Sequence, residues 1–263
     1  MPVLLSSAES DALLTRLRAA GCVFAEDEAR LLSDSAGSHG ELESLTERRV
    51  SGQPLEYILG WVDFFGLRIA IDANVFVPRK RTEFLVREAI AHANSGATVL
   101  DLCCGCGAVG IAISSAIDNA ELYAADIDPA AVDNAARNFE VFGGRSYLGD
   151  LFDPLPDSLR GKVDILTANV PYVPTEAIAL LPSEARDFEP RFTLDGGSDG
   201  LDILRRVAGE APMWLSSGGH LFFETGEDQA MAAADVVTAS GLRARIVTSD
   251  HFHSTVIVGT RRS

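Results

Sequence analysis

The sequence predicts an α/β fold: a mostly parallel, seven-stranded sheet covered by helices on both faces and preceded by a small helical module. Three observations lead there. From Thr98 onward, short apolar runs alternate with helix-spaced segments, the order that builds parallel strands joined by crossover helices. The last two runs, residues 243–248 and 255–260, lie close enough in sequence to pair as an antiparallel hairpin at the sheet edge. Before residue 52 the periodicity is helical only.

Residues 10–20 and Ala25–Ser35 space their apolar side chains as helices do, with Leu13, Leu14 and Leu17 in the first and Ala29, Leu31 and Leu32 in the second. A third helix over residues 41–50 is ended by Ser51 and Gly52. Residues 54–77 change character. Alternation through Trp61, Val62, Phe64, Phe65 and Ile69, centred on Gly66, predicts a hairpin joining the helices to the rest of the chain. Residues 82–93 form an amphipathic helix, with Thr82 as its cap and Phe84, Leu85 and Ala89 on one face. Strands are then expected at Thr98–Leu102, 121–125, Arg145–Leu148, Val163–Ala168 and 220–224, with helical segments between most of them. The chain therefore divides into a helical domain at 1–52, a linker and hairpin at 53–77, and an α/β domain at 78–263.

With 263 residues, 47% hydrophobic and 23% charged, the chain can bury a sizeable core. Its formal net charge of -16 repels a phosphate backbone, which weighs against a general nucleic-acid binder. No apolar run reaches membrane-spanning length, and the first residues lack the plan of a signal peptide, so a cytoplasmic protein is expected. Cys103 and Cys106 have the C-x-x-C spacing, but no second ligand pair stands at a matching spacing. Small side chains also suit a tight strand-to-helix turn, and no metal is expected. His251 and His253 read as turn residues.

Two stretches carry chemistry. After the first strand of the α/β domain, Gly105, Gly107 and Gly110 satisfy G-x-G-x-x-G and open a helix, a plan that lets a ligand approach the backbone. A nicotinamide or flavin nucleotide fits that pattern, but Asp101 at the loop would oppose a pyrophosphate. It suits instead the ammonium of S-adenosylmethionine, which carries no phosphate. Asp126, at the end of the next strand, is placed for both ribose hydroxyls. Asp150 can accept from an adenine amine, with Ile127 or Leu151 against the ring; the alternative for Asp150 is a helix or turn cap. The second stretch is Asn169-Val170-Pro171-Tyr172, which ends a buried strand where open parallel sheets bind ligands. The Asn169 side-chain oxygen and the Val170 carbonyl can each accept a hydrogen bond, and Tyr172 can cover a planar group. Together they suit a planar NH2 group in a carboxamide or a base; a plain Asn-Pro turn is the competing reading.

With these elements in this order, the chain resembles the HemK/PrmC family of protein glutamine methyltransferases. Gln53-Pro54-Leu55-Glu56-Tyr57-Ile58-Leu59-Gly60 is similar to the family's linker motif, and Phe64-Phe65-Gly66-Leu67 to the hairpin after it. Val77-Pro78-Arg79-Lys80-Arg81-Thr82-Glu83 resembles the Pro-Arg-x-x-Thr-Glu segment beside the cofactor. Phe188-Glu189-Pro190-Arg191-Phe192 and Leu194-Asp195-Gly196-Gly197-Ser198-Asp199-Gly200-Leu201 are similar to the segments that come after the catalytic turn.

The resemblance implies a Rossmann-like class I methyltransferase fold and methyl transfer from S-adenosylmethionine to a glutamine side-chain amide. The typical target is the Gly-Gly-Gln glutamine of a class I peptide release factor. It assigns catalysis to Asn169, Val170, Pro171 and Tyr172. Cofactor binding falls to Asp101, Cys103, Gly105, Gly107, Asp126, Ile127, Asp150, Leu151 and Asn169, with Pro78 and Arg79 beside them. Neither nucleic acid nor membrane is an expected partner, and the N-terminal helices are expected to recognise the protein substrate. Three positions depart from the family pattern. Val170 replaces the first proline of Asn-Pro-Pro-Tyr, keeping the carbonyl but freeing the backbone of Asn169. Cys103 holds the first glycine position of the loop, and Leu151 stands where some relatives place an aromatic ring. A DNA adenine methyltransferase uses the same amine-holding logic, and a non-catalytic S-adenosylmethionine-binding protein is the other alternative.

Overall fold

A computed structural model describes residues 3–262. The first helix, α1 (Ser7–Ala19), starts earlier than its apolar pattern because Ser6 and Glu9 form a reciprocal capping box. It packs with α2 (Ala25–Ser35) and α3 (His39–Val50) around a core of their own that includes Leu13, Leu17, Leu32 and Leu42. The next segment, expected as a lead-in to the hairpin, is a short helix α4 (Leu55–Leu59) stopped by Gly60 at φ 77°. The hairpin itself pairs β1 (Trp61–Phe64) with β2 (Leu67–Ala70) across Phe65 and Gly66.

The α/β part then runs α5 (Glu83–Ala91), β3 (Thr98–Leu102), α6 (Ala108–Ser115), β4 (Glu121–Asp126), α7 (Pro129–Phe142), β5 (Arg145–Leu148) and β6 (Val163–Ala168). It continues through α8 (Ser183–Phe188), α9 (Asp202–Trp214), β7 (Leu215–Thr225), α10 (Ala230–Ala239), β8 (Arg243–Ser249) and β9 (Ser254–Thr260). The order β5-β4-β3-β6-β7-β9-β8 makes one seven-stranded sheet, parallel except at β9, which is antiparallel to both neighbours. Parallel neighbours cannot be joined by tight turns, and α6, α7 and α9 serve as the crossovers.

Side chains alternate across the sheet as the pleat requires. Val99, Ala124, Ile165 and Phe222 face the helices α5, α6 and α7. Leu100, Ala125, Leu166 and Phe223 face α9 and α10. Strand β7 is longer than its apolar run: it starts at Leu215, opposite Val163, and its pairing with β6 resumes at His220, opposite Ile165, after an irregularity over residues 216–219. Thr82 is not the cap of α5. It lies in a 3-10 turn with helical φ and ψ, its hydroxyl buried without a hydrogen-bond partner among the described residues.

The hairpin is tied to the sheet by two buried asparagines one helical turn apart on α7. Asn134 Oδ1 accepts from Asp72 N at 2.9 Å, and Asn138 Oδ1 accepts from Ala70 N at 3.1 Å. Asn138 Nδ2 also donates to Cys106 O at 2.9 Å, so the loop after β3 and the hairpin are held by one side chain. Tyr57 from α4 donates to Val75 O at 2.6 Å and fixes the segment that leads to Phe76.

Candidate functional site

Strands β3 and β6 lie side by side at the centre of the sheet, and the chain leaves them in opposite directions. Their carboxyl ends form the switch point where open α/β sheets bind ligands. Two adjoining cavities occupy it, of about 420 Å3 and about 310 Å3. Phe76, Asn169, Pro171 and Thr193 line both.

The larger cavity is walled by the loops after four successive strands: Cys103 and Gly105 after β3, Asp126 and Ile127 at β4, Asp150 and Leu151 after β5, Asn169 and Pro171 after β6. Asp126 Oδ2 accepts from Gly105 N at 2.9 Å and Oδ1 from Asp128 N at 3.0 Å. Each carboxylate oxygen keeps a second acceptor site for a ribose hydroxyl. Burial holds the Asp126 carboxyl above its ordinary range, against the pull of those two amides. Asp150 neither caps a helix nor stands alone: Arg206 Nη2 donates to its Oδ2 at 2.7 Å. Ile127, more than half exposed, and Leu151 offer apolar surface to a ring.

Four expected residues are placed differently. Asp101 is 1% exposed, beneath the loop rather than at its mouth. Its Oδ2 accepts from Gly110 N at 2.9 Å and its Oδ1 from Thr167 Oγ1 at 2.7 Å. It therefore holds an unpaired donor of the first turn of α6 and ties β3 to β6, instead of reaching an ammonium group. Gly107, at φ 82°, leads into α6 packed so closely on α7 that an added Cβ would lie 2.7 Å from the Phe139 ring. It faces α7 and not the cavity. Pro78 lines neither cavity, and Arg79 lines the smaller one, bound to the fully buried carboxylate of Glu189.

Cys103 and Leu151 both adopt positive φ, 54° and 50°. Non-glycine residues are strained there by about 1–3 kcal/mol, and both stand at the cavity wall. Burial pushes the thiols of Cys103, Cys104 and Cys106 well above their ordinary range, so they are neutral small side chains in a tight loop. No group of three or more His, Cys, Asp or Glu is placed to hold a metal ion among the described residues.

The smaller cavity contains the turn itself. Val170 is 2% exposed, with its side chain packed under β6. Among the described residues, the Asn169 side chain and the Val170 carbonyl have no hydrogen-bond partner. Tyr172 is held at both ends: its hydroxyl by Arg81 and Glu224, its carbonyl by Gln229 Nε2 at 3.0 Å. Burial, followed by the Glu224 charge, keeps its phenol protonated far above the ordinary tyrosine range. The segment after the turn folds back on it, with Val173 N donating to Leu194 O at 3.0 Å and Gly196 N to Val173 O at 2.9 Å. A side chain at Gly200 would lie 2.3 Å from Tyr172 O, so that position admits only glycine.

The Methyltransferase small domain model matches residues 67–180, which span the hairpin strand, the glycine loop and the turn. A release factor glutamine methyltransferase of Geobacter sulfurreducens is 39% identical over 199 residues, covering 75% of this chain and 69% of its own. The chain belongs to the release factor glutamine methyltransferase family. Another release factor glutamine methyltransferase, from Agrobacterium fabrum, is 30% identical and covers 97% of each chain. A solved methyltransferase from Pyrococcus furiosus, 15% identical, superposes with a TM-score of 0.58 over 76% of this chain and 91% of its own, and shows the shared fold.

As a member of that family, the protein is a methyltransferase with S-adenosylmethionine as its methyl donor. The larger cavity fits such a group. Its ionisable walls are the carboxylates Asp126, Asp128 and Asp150 with a single guanidinium, Arg206, already paired to one of them. That balance suits a phosphate-free nucleoside bearing positive charge and would repel a pyrophosphate. The sequence reading missed Phe76, Phe192 and Thr193 from the segments between strands and helices, Asp128, Pro129 and Ala131 at the start of α7, and Ile203 and Arg206 from α9. For Phe76 a signal exists: it interrupts the apolar alternation between buried Val75 and Val77 and points the other way.

The buried acid of this methyltransferase has a measurable consequence. Burial pushes Asp101 up to about 7 despite its bonds from Thr167 and Gly110. An unfolded aspartate titrates near about 3.9, so in between the folded chain holds a proton that the unfolded chain has released. Raising pH through that window therefore favours unfolding. Asp101→Asn, which cannot ionise, should gain stability relative to the parent between about pH 5 and about pH 7.5, read as denaturant midpoints. A gap that does not change with pH contradicts this.

Proposed function

We propose that this enzyme transfers a methyl group from S-adenosylmethionine to the side-chain amide nitrogen of a protein glutamine, in the Gly-Gly-Gln motif of a peptide chain release factor in the cytoplasm. One observation carries the reading. Asn169 Oδ1 and the Val170 carbonyl are both acceptors, both without partners among the described residues, at the turn where the two cavities meet.

An amide nitrogen is a poor nucleophile because its lone pair is conjugated with the carbonyl. Its two hydrogens can each donate to one of these oxygens, which orients the nitrogen toward the larger cavity. The same oxygens favour the positive charge that grows on nitrogen as the new bond forms. S-adenosylmethionine supplies an activated methyl group when bound. Alignment of this kind is worth roughly 7–11 kcal/mol of barrier in well-oriented systems. As the methyl–sulfur bond breaks and the methyl–nitrogen bond forms, the alkylated amide becomes a strong acid and gives one of its two hydrogens to water, so no dedicated base is required. Pro171 and Tyr172 wall the amide plane.

For the helical region at 1–52 we propose a substrate-recognition domain. Leu4, Val23 and Phe24 support this, being 89%, 83% and 69% exposed on its surface. Arg49 from α3 links the region to the acceptor cavity. It pairs with buried Glu28 and with Glu184 Oε1 at 2.7 Å, and Glu184 lines that cavity.

Incubation of the enzyme with labelled S-adenosylmethionine and a release factor, followed by peptide mapping, tests the assignment. One methyl group on the Gly-Gly-Gln glutamine is expected. Label on DNA offered in parallel, on another residue, or nowhere overturns it.

A further inference from the structure

Tyr172 Oη donates to Glu224 Oε1 at 2.8 Å and accepts from Arg81 Nη2 at 2.7 Å, while Arg81 Nε reaches the same Glu224 oxygen at 3.1 Å. Three distant parts of the chain close this ring of bonds: the segment before α5, the turn after β6 and the end of β7. Glu224 is 2% exposed, and its Oε2 is buried without a partner among the described residues. A buried carboxylate is costly unless a cation and donors offset the lost hydration. The half-exposed Arg81 reaches inward to do so, and the Tyr172 hydroxyl supplies the second donor.

Arg81 and Tyr172 also line a third cavity of about 300 Å3, together with Glu224. Arg81 and Tyr172 thus border both that space and the acceptor cavity, whereas Glu224 borders only the former. None of the three lines the cofactor cavity. Without these two charge-assisted bonds, the Tyr172 side chain keeps its packing against the core and the tie from Gln229 to its carbonyl, but no polar group fixes its hydroxyl.

We propose that Glu224 and Arg81 are positioning residues of the acceptor site, fixing the Tyr172 ring in the orientation that walls the substrate amide. The proposal rests on the reading of residues 169–172 as that site. Glu224 acts through Tyr172 and touches neither substrate nor cofactor. Its effect appears in the kinetics of the protein substrate, leaves cofactor affinity alone, and vanishes when the tyrosine hydroxyl is absent.

A double-mutant cycle tests this on the intact enzyme, with steady-state kinetics on a release factor and calorimetric binding of S-adenosylhomocysteine. Tyr172→Phe and Glu224→Gln should each lower kcat/KM about ten-fold, the size expected for one charge-assisted hydrogen bond. The double variant should fall no further than the worse single by more than about two-fold, and S-adenosylhomocysteine affinity should stay within about two-fold throughout. Arg81→Met should lower kcat/KM at least as much as Glu224→Gln does, and Arg81→Lys, which keeps a cation beside Glu224, should recover part of it. Losses that multiply in the double variant, or a Glu224→Gln enzyme with parental kinetics, overturn the proposal. Asn169→Ala is measured alongside: if it remains active, the acceptor-site reading fails. If it is inactive while the cycle is additive, only the positioning role fails.

Discussion

Asn169→Ala is expected to lower turnover by about two to three orders of magnitude, the loss seen when one group that stabilises a developing charge is removed. Asn169 stands at the end of β6, an apolar strand with Val163, Ile165, Leu166 and Ala168 fully buried, so its backbone is set by the sheet and not by its own side chain. That side chain makes no hydrogen bond among the described residues, so alanine removes an acceptor without breaking a structural contact. Stability should hold, and S-adenosylhomocysteine should bind within about two-fold of the parent, because the other walls of the larger cavity remain. Asn169→Asp keeps an acceptor oxygen at the same place and should lose less than alanine does. An alanine variant with parental turnover would remove Asn169 from the mechanism.

Asp126→Ala should weaken cofactor binding about a hundred-fold, since two hydrogen bonds to a charged group are each worth about 1.5–3 kcal/mol and some is recovered by water. The carboxylate has two duties. It accepts from Gly105 N and Asp128 N, holding the glycine loop against the loop after β4, and its remaining lone pairs face the cavity. Asp126→Asn should lose less: its single side-chain oxygen keeps one of the amide bonds, while its NH2 cannot bond the other amide and can only donate to a ribose hydroxyl. Calorimetry with S-adenosylhomocysteine reads the loss directly. Affinity unchanged in both variants would mean that the nucleoside lies elsewhere.

Much of this arrangement was legible in the residues, for a physical reason. Parallel strands buried on both faces must be apolar throughout, so Thr98–Leu102 and Val163–Ala168 stood out, and the residues just past the carboxyl end of such a strand face the switch point. Asp126 and Asn169 were found by that rule. Asp101 is a different case: it lies within β3, two residues after Val99, and the strand's alternation turns it beneath α6 with Val99 rather than into the cavity. Gly110 leaves room for it there, since a side chain at that position would sit 3.1 Å from Asp101 Cβ. Thr82 looked like a cap because residue type precedes geometry in such a reading; the 3-10 turn at Lys80–Thr82 had already made its backbone helical. Phe192 and Arg206 carried no such signal: Phe192 sits in a three-residue 3-10 turn, too short to show a period, and Arg206 on the exposed face of α9, where the helical period does not say what it meets. The Arg81–Tyr172–Glu224 ring joins residues 143 positions apart at its widest and has no local signal at all.

The central claim is that two oxygens, one from the Asn169 side chain and one from the Val170 backbone, grip an uncharged carboxamide beside the methyl donor. A crystal structure of the enzyme with S-adenosylhomocysteine and a Gly-Gly-Gln peptide measures this directly. The account predicts the glutamine side-chain nitrogen within hydrogen-bond distance of both oxygens, with the cofactor sulfur in the larger cavity on its far side. A glutamine nitrogen bound elsewhere, or these oxygens turned away from the sulfur, would contradict it.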